Sequence, residues 1–191
     1  MPIPKKVLRE LVTDIKRGLS SYYLQNSGEN VSLINIRDVS NGTIHAETVG
    51  RVKIKETPAL KKTRIAPGDI ILTVKGSAFK AAVAGPDTQD FVISSNLIAF
   101  TLNDDVLPEL VVAYLNSPEG QGQLLSRASG IAQRFINEKI LLEVPIPVSP
   151  KGKQKQLAAY LMLTKEHDSL IARERELRKQ ITDSIIQNIM G

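Results

Sequence analysis

Residues 153–190 contain neither proline nor glycine, and this run constrains the fold more than any other feature of the sequence. Nothing in the run interrupts helical hydrogen bonding, so it predicts one continuous helix, about 57 Å long at about 1.5 Å per residue. A helix of that length cannot pack along its whole length on a domain of 150 residues. We therefore expect a domain of residues 1–150, from which a helix of residues 151–191 projects.

The predicted helix carries an apolar stripe, because leucine recurs every seven residues and two isoleucines extend the same face. Polar residues such as His167 and Glu174 lie three or four positions away, so the seam is only partly apolar. That pattern is typical of a coiled coil that requires a particular partner. The predicted dimerisation residues are Leu163, Leu170, Leu177, Ile181 and Ile185.

The first 150 residues have the pattern of a β-rich domain. Ser40-Asn41-Gly42 and Gly76-Ser77 are turn sequences between short runs rich in β-branched and small apolar residues. The second turn is expected to close a hairpin, and Ser94-Ser95-Asn96 is expected to interrupt the last run. The predicted strands are residues 31–36, 43–49, 70–74, 81–84 and 91–102.

Helical spacing is found at four places in this domain. Val7, Leu8, Leu11, Val12 and Ile15 predict an opening amphipathic helix that ends at Gly18. Further helices are predicted at residues 107–116, after the capping pair Ser117-Pro118, and near Asn137. The prolines of VPIPVSP (144–150) exclude a helix interior and predict a hinge or extended linker. The predicted fold class is α+β, a mixed or antiparallel β-rich domain followed by one long coiled-coil helix.

Composition narrows the function. The chain has no cysteine, which excludes disulfides, zinc-thiolate sites and thiol catalysis. The first residues, MPIPKKVLRE, lack the apolar core of a signal peptide, and no apolar run approaches the roughly 18 residues of a membrane span. A cytoplasmic protein without membrane association is expected.

No motif predicts catalysis. His45 and His167 are the only histidines and lie in unrelated elements, and Asp104-Asp105 is better explained as a turn before a helix. The sequence contains no Walker motif, no Gly-x-Gly-x-x-Gly and no Asn-Pro-Pro-Tyr or Asp-Pro-Pro-Tyr of an adenine methyltransferase. We therefore predict a binding protein that is not an enzyme and needs no cofactor or metal.

Charge is distributed unevenly. Residues 1–80 contain 14 lysines and arginines against 7 acidic residues, whereas the whole chain has a net charge of only +5. Lys75 and Lys80 flank the Gly76-Ser77 turn, and lysines at a hairpin tip are commonly exposed to solvent without any further role. A basic half also suggests a polyanionic partner, so contact with phosphates is the alternative.

Six segments, in order along nearly the whole chain, resemble one known family. They are LINIRDVSNGTI (33–44), PGDIILTVKGSAFKAAVA (67–84), VISSNLIAFTLN (92–103), LPELVVAYLNSPEGQ (107–121), GIAQRFINEKILLEVPIPVSP (130–150) and KQKQLAAYL (153–161). The ordered set is similar to the specificity subunit of type I restriction-modification systems. The resemblance implies a target recognition domain that reads double-stranded DNA. It also implies long helices that pair antiparallel, space two such domains and dock methyltransferase subunits, with a restriction subunit in the full system.

A specificity subunit usually has two recognition domains and two long helices, whereas this chain resembles one half. It can be a natural half-subunit, a paralogue with another partner or a piece of a longer protein, and an antiparallel homodimer would mimic the two-domain parent. The hairpin and the loop of residues 130–134 are the favoured DNA contacts, although ordinary solvent exposure is the rival explanation for each residue. The candidate readers are Tyr22, Tyr23, Arg37, Ser40, Asn41, Lys75, Ser77, Lys80, Ser94, Asn96, Gln133 and Arg134.

Two alternatives remain at this point. Ser94-Ser95-Asn96 can instead satisfy backbone groups at a strand break. The whole chain can also be a coiled-coil adaptor, a protein-interaction module that does not bind DNA, and salt-sensitive binding to random duplex DNA would distinguish the two functions.

Overall fold

The computed structural model describes residues 3–55, 60, 62–130 and 133–190. The chain divides into two compact units, residues 1–154 and residues 155–191. The strands are β1 Lys5–Val7, β2 Val12–Arg17, β3 Leu24–Ile34, β4 Val39–Ser40, β5 Thr43–Ile44, β6 Gly50–Ile54, β7 Ile70–Thr73, β8 Lys75–Gly76, β9 Ala81–Val83, β10 Val92–Ile93, β11 Leu97–Leu102, β12 Arg134–Phe135 and β13 Pro145–Pro147. The helices are α1 Pro108–Asn116, α2 Pro118–Arg127, α3 Glu138–Leu141 and α4 Lys151–Met190.

A four-stranded antiparallel sheet, in the order β2-β11-β7-β9, lies at the centre of the first unit. Side chains alternate between the two faces of each strand. Leu72 and Phe100 therefore pack into one apolar cluster with the short helices, whereas Ile71 and Ala99 pack into a second cluster on the opposite face. Because both faces of the sheet are buried, the strands of the hairpin are continuous apolar runs. The pairing of β7 with β9 confirms the predicted hairpin.

The short helices were predicted correctly from local signals. Pro108 begins α1, whose Val111 and Leu115 are buried against the sheet. The Ser117 hydroxyl accepts a hydrogen bond from the Gly120 N–H at 3.2 Å and caps α2. The Asn137 side chain accepts from the Ile140 N–H at 2.9 Å and caps α3 in the same way.

A second sheet has the order β10-β3-β6, with β3 and β6 antiparallel and β10 and β3 parallel. Its buried side chains, including Val31, Leu33 and Ile54, form a third apolar cluster. The predicted turn is confirmed between β4 and β5, where Asn41 and Gly42 have φ of 49° and 71°. Two consecutive positive φ values are the geometry of a type I′ hairpin turn.

The predicted N-terminal helix is wrong. Residues 5–17 form β1, a 3₁₀ turn over Leu8–Glu10 and β2. The β-branched Val12, Thr13 and Ile15 suit a strand, and β2 finds its partner in β11, which lies far away in the sequence. The sequence has the spacing of a helix here because Leu8, the first residue of the turn, and Leu11, the residue after the turn, are both fully buried.

Other boundaries also differ from the sequence prediction. β3 begins at Leu24, seven residues before the predicted strand 31–36, and the predicted strand 43–49 ends at Ile44 and is followed by a 3₁₀ turn. β6 lies outside the predicted strands. These elements are stabilised by partner strands, which local sequence patterns do not reveal.

The segment VPIPVSP is extended, which was one of the two predicted alternatives, and its central residues form a strand. Pro145–Pro147 pairs antiparallel with β1, with Lys5 opposite Pro147, and Ile146 is fully buried. The pairing continues beyond the strands, because the Leu8 N–H donates to the Val144 carbonyl at 2.9 Å. Prolines are tolerated here because a two-stranded pair has free edges.

α4 confirms the predicted long helix. Its first turn is anchored by Gln154, which is 3% exposed. The Gln154 amide donates to the carbonyls of Asp105 at 2.8 Å and Ser149 at 2.7 Å, and its oxygen accepts from the Leu107 N–H at 3.0 Å. Among the described residues, no helix is both long enough and apolar enough to cross a membrane.

Candidate nucleic-acid interface

The two loops that the sequence favoured as DNA contacts are joined by a short antiparallel ladder. β8 leaves the hairpin at Lys75 and pairs with β12, so that Gly76 lies opposite Arg134 and Lys75 lies opposite Phe135. The Ile136 N–H donates to the Val74 carbonyl at 3.0 Å and extends the contact. The hairpin tip is therefore not a simple Gly76-Ser77 turn, because its first arm is bonded to the second loop.

The second loop is closed at its base. Ser129 and Phe135 exchange two backbone hydrogen bonds of 2.8 Å each. Gly130 has a φ of +93°, and a Cβ atom there would lie 2.3 Å from the Gln133 carbonyl oxygen. Only glycine fits this position without strain. Gln133 and Arg134 are both exposed.

Two side-chain amides, which the sequence analysis missed, hold the second arm of the hairpin. The Phe79 N–H donates to Gln121 Oε1 at 3.1 Å, and Gln121 Nε2 donates to the Phe79 carbonyl at 2.6 Å. Asn116 makes the same pair of bonds with Ala81, at 2.9 Å each. We call these two contacts the amide clamps. Each side-chain amide bonds to both the N–H and the carbonyl of one residue, as the backbone of a neighbouring strand would.

The clamps determine where Lys80 lies. Because Phe79 is buried and Lys80 is the next residue, the Lys80 side chain lies on the exposed side. Its backbone N–H donates to Thr73 Oγ1 at 2.9 Å, and its carbonyl accepts from the Thr73 N–H at 2.9 Å. Neither Lys75 nor Lys80 has an ion-pair partner in the described part of the chain.

The β4–β5 turn adjoins the hairpin. Gly42 forms an isolated bridge with Ala82, and Ser40 and Asn41 line a cleft of about 260 Å³ together with Lys80. The amide-clamp residues Asn116 and Gln121 form another wall of the same cleft. The Ser40 hydroxyl lies 2.7 Å from His45 Nε2, whereas Asn41 is exposed at the tip of its turn.

Four further candidates are Arg37, Ser77, Gln133 and Arg134, and all four are exposed. Ser77, Gln133 and Arg134 all reach solvent, and Arg134 makes one 3.5 Å bond to the Leu125 carbonyl. The Arg37 Nε lies 3.6 Å from the Asp38 carboxylate, so its charge is partly compensated. The described residues thus bring together amides, hydroxyls and cations, which are the groups that contact base edges and phosphates.

The serines and asparagine between β10 and β11 do not form one exposed set. Ser94 is buried, and no described residue is bonded to its hydroxyl, so it is a poor candidate for reading bases. Backbone groups satisfy this strand break, since the Ser94 N–H donates to the Ile34 carbonyl at 2.9 Å. The Asn96 carbonyl accepts from the Val74 N–H at 2.9 Å, which places half-buried Asn96 at the base of the hairpin.

Tyr22 and Tyr23 lie beside β6. They form a 3₁₀ turn capped by Ser20, and their rings meet edge to face with centroids 5.6 Å apart. Tyr22 is 84% exposed, which is unusual for a large aromatic side chain. Backbone bonding joins the pair to β6, because the Lys55 N–H donates to the Tyr23 carbonyl at 3.4 Å.

A further cleft, of about 730 Å³, lies beside Phe135 and contains Arg9 and Arg17. Both guanidinium groups are already paired, Arg9 with Glu143 and Arg17 with Glu138. The hydrogen bond to Glu138 and the attraction of its charge raise the pKa of Arg17. This compensated cleft is a weaker site for an anion than the hairpin. The described residues contain no cluster of three metal-ligating side chains.

No protein-family model and no curated protein matches the chain. Solved structures do match it. The HsdS subunit from Thermoanaerobacter tengcongensis aligns with a TM-score of 0.63 and 21% identity, over 89% of this chain and 39% of that one. The type I restriction-modification S subunit from M. genitalium aligns with a TM-score of 0.58 and 20% identity, over 93% of this chain and 44% of that one.

A third match comes from work on complex assembly and conformational transition of the type I restriction-modification system. It has a TM-score of 0.62 and 21% identity, over 89% of this chain and 40% of that chain. The chain therefore spans less than half the length of each of these solved chains. Its fold is that of about half a specificity subunit, and the resemblance inferred from the sequence is confirmed at the level of the fold, as is the α+β class.

Proposed function

We propose that this protein binds a specific DNA sequence and directs a separate adenine methyltransferase, with a restriction subunit in the full system, to that site. Residues 1–150 are the recognition domain and residues 151–191 the dimerisation and spacer helix. The protein supplies specificity, and its partner subunits supply the catalytic groups and cofactors.

The observation that carries this proposal is the β8–β12 ladder. It joins the Lys75–Gly76 arm of the hairpin to the loop that bears Arg134, and the uncompensated Lys75 and Lys80 lie on the same hairpin. A backbone-bonded, exposed group of cations and amides suits a duplex, in which lysines contact phosphates and arginine reads guanine edges. The specificity-subunit fold supports the same conclusion.

The exposed stripe of α4 supports self-association. Leu163 and Leu170 are 65% and 63% exposed, and Leu177, Ile181 and Ile185 continue the stripe. Soluble proteins rarely leave such a contiguous apolar surface uncovered. An antiparallel homodimer would cover the stripe and place two recognition domains about a two-fold axis, so the preferred site would be two inverted half-sites separated by unread base pairs.

Salt-dependent binding tests the DNA contacts. Each phosphate contact contributes about −0.9 to the slope of log affinity against log salt concentration, so Lys75→Gln and Lys80→Gln should each flatten the slope by about that amount. Arg134→Ala should leave affinity for random duplexes nearly unchanged and reduce discrimination between bases by about 1–3 kcal/mol. Lys155→Gln with Lys165→Gln, two exposed lysines of the second unit, is the charge-matched control for the lysine pair.

Selection from a random duplex library tests the arrangement of the site. We expect inverted half-sites, and a single asymmetric contiguous site would contradict the two-fold model. Labelled methyl groups should enter this DNA only when a methyltransferase subunit is added. Wild-type protein that shows no salt-sensitive binding to any duplex would reject the proposal in favour of a protein-interaction adaptor.

A further inference from the structure

β6 and Lys55, the residue that follows it, present a row of three cations on one face. Arg51, Lys53 and Lys55, at the end of the strand, are all exposed, whereas Ile54 is fully buried and Val52 is half-buried. This alternation follows from the two-residue repeat of extended backbone, which sends successive side chains to opposite faces. The apolar face completes the cluster with Val31 and Leu33, so the cationic face is directed away from the core.

The residues of β3 that lie opposite Arg51 and Lys53 carry no charge. In the strand register Arg51 lies opposite Ser32 and Lys53 lies opposite Asn30, and both opposite residues are polar but uncharged. Opposed residues of an antiparallel pair share a face, where opposite charges commonly pair. Within the described residues, none of the three cations is in an ion pair or donates a side-chain hydrogen bond.

Other cations of the same unit do have partners. Lys16 bonds to Asp69 at 2.5 Å, Lys6 bonds to Asp105 at 2.7 Å, and Arg64 bonds to Glu29. Glu29 lies on β3 itself, yet its carboxylate is bonded to Arg64 and not to a cation of β6. Like Lys75 and Lys80, the three cations of this row are uncompensated, and they stand in line on one face of extended backbone.

The spacing of the row suits a phosphate backbone. Alternate residues of a strand lie about 6.7 Å apart, and one strand of a duplex advances about 3.4 Å of helix axis per phosphate. A row of three cations at this spacing is therefore long enough to contact more than one phosphate of the same backbone. Tyr22 and Tyr23 lie beside the Lys55 end, and tyrosine hydroxyls also donate to phosphates in protein–DNA complexes.

We propose that Arg51, Lys53 and Lys55 bind the sugar-phosphate backbone of duplex DNA and add sequence-independent affinity to the contacts of the hairpin. This inference rests on the proposed function, because it assigns a second surface to the same ligand. Lysine acts there as a point charge, and no member of the row is expected to read bases.

Substitution of the whole row tests the inference. Arg51→Gln, Lys53→Gln and Lys55→Gln combined should flatten the salt slope of binding by about 2.7, from about 0.9 per contact. Affinity for the selected site and for random duplexes should fall by the same factor, so the ratio of the two stays unchanged. The single variant Lys53→Gln should show about a third of the effect, and urea denaturation should confirm that both variants remain folded.

The charge-matched control is Lys151→Gln, Lys153→Gln and Lys155→Gln, three exposed lysines at the beginning of α4. An equal change in slope for the control would mean that net charge, and not the row, is responsible, and would overturn the inference. So would an unchanged slope in the β6 variants while the wild type binds DNA, since the charges would then serve only to keep the edge strand from pairing. Wild type without salt-sensitive binding would instead reject the proposed function itself.

Discussion

At the scale of the residue, Tyr114 shows that not every buried polar group is satisfied. No described residue is bonded to its hydroxyl, which lies in α1, and burial raises its pKa. A buried hydroxyl without a partner costs about 1–3 kcal/mol, so Tyr114→Phe should leave the free energy of unfolding unchanged or raise it by about 1 kcal/mol. Tyr160→Phe, in an exposed position of α4, should have no effect.

The raised pKa of Tyr114 makes the stability of the wild-type protein depend on pH in a way that the Tyr114→Phe variant lacks. Above the ordinary tyrosine pKa of about 10, the unfolded chain loses the proton while the folded chain keeps it, so the folded state loses stability as pH rises. Wild type should therefore lose more stability than Tyr114→Phe between neutral pH and about pH 10.5. Urea denaturation at the two pH values measures this, and a stability loss in Tyr114→Phe at neutral pH would contradict the argument.

At the scale of the element, the amide clamps hold the hairpin through side chains of α1 and α2. Gln121→Ala removes both bonds to the Phe79 backbone and should lower the free energy of unfolding by about 1–3 kcal/mol. Amide hydrogen exchange at Phe79 should accelerate more than at β11. Gln123→Ala should change stability by less than about 0.5 kcal/mol, because within the described residues the Gln123 side chain is bonded only to Arg127 of the same helix.

The sequence predicted elements whose causes are local. A proline at the first position predicted α1, Ser117 predicted α2, and the absence of proline and glycine predicted α4. β2 and β6 were missed because each is stabilised by a partner strand, and the leucines around the Leu8–Glu10 turn imitated helical spacing. Tertiary pairing overrides a local propensity in such cases.

The candidate site was predictable in its parts but not in its assembly. The hairpin lysines and the Arg134 loop were identified from the sequence, yet no sequence pattern indicated that β8 and β12 would pair. The amide clamps were missed because an asparagine or glutamine side chain on a short helix is usually exposed to solvent, and the sequence does not indicate which distant backbone groups it bonds. The cations of β6 contribute to the basic charge of residues 1–80, and their alignment on one face became clear only with the strand register.

At the scale of the whole molecule, α4 should control the oligomeric state. Leu170→Glu with Leu177→Glu places charges in the stripe and should convert a homodimer into a monomer, as measured by light scattering. Ala172→Glu with Lys179→Gln changes the net charge equally on another face and should leave the dimer intact. Wild-type protein that is monomeric would count against self-pairing and indicate a different partner for the stripe.

The pairing of β1 with β13 brings both ends of the proposed recognition domain to one place. Lys5 lies opposite Pro147, so the chain enters and leaves the domain at neighbouring points. A segment bounded in this way can be exchanged between related genes as a cassette, because both of its ends join the rest of the chain at one place. Recombination at these two points would change the DNA sequence that is read while α4, and whatever assembles on it, stayed the same.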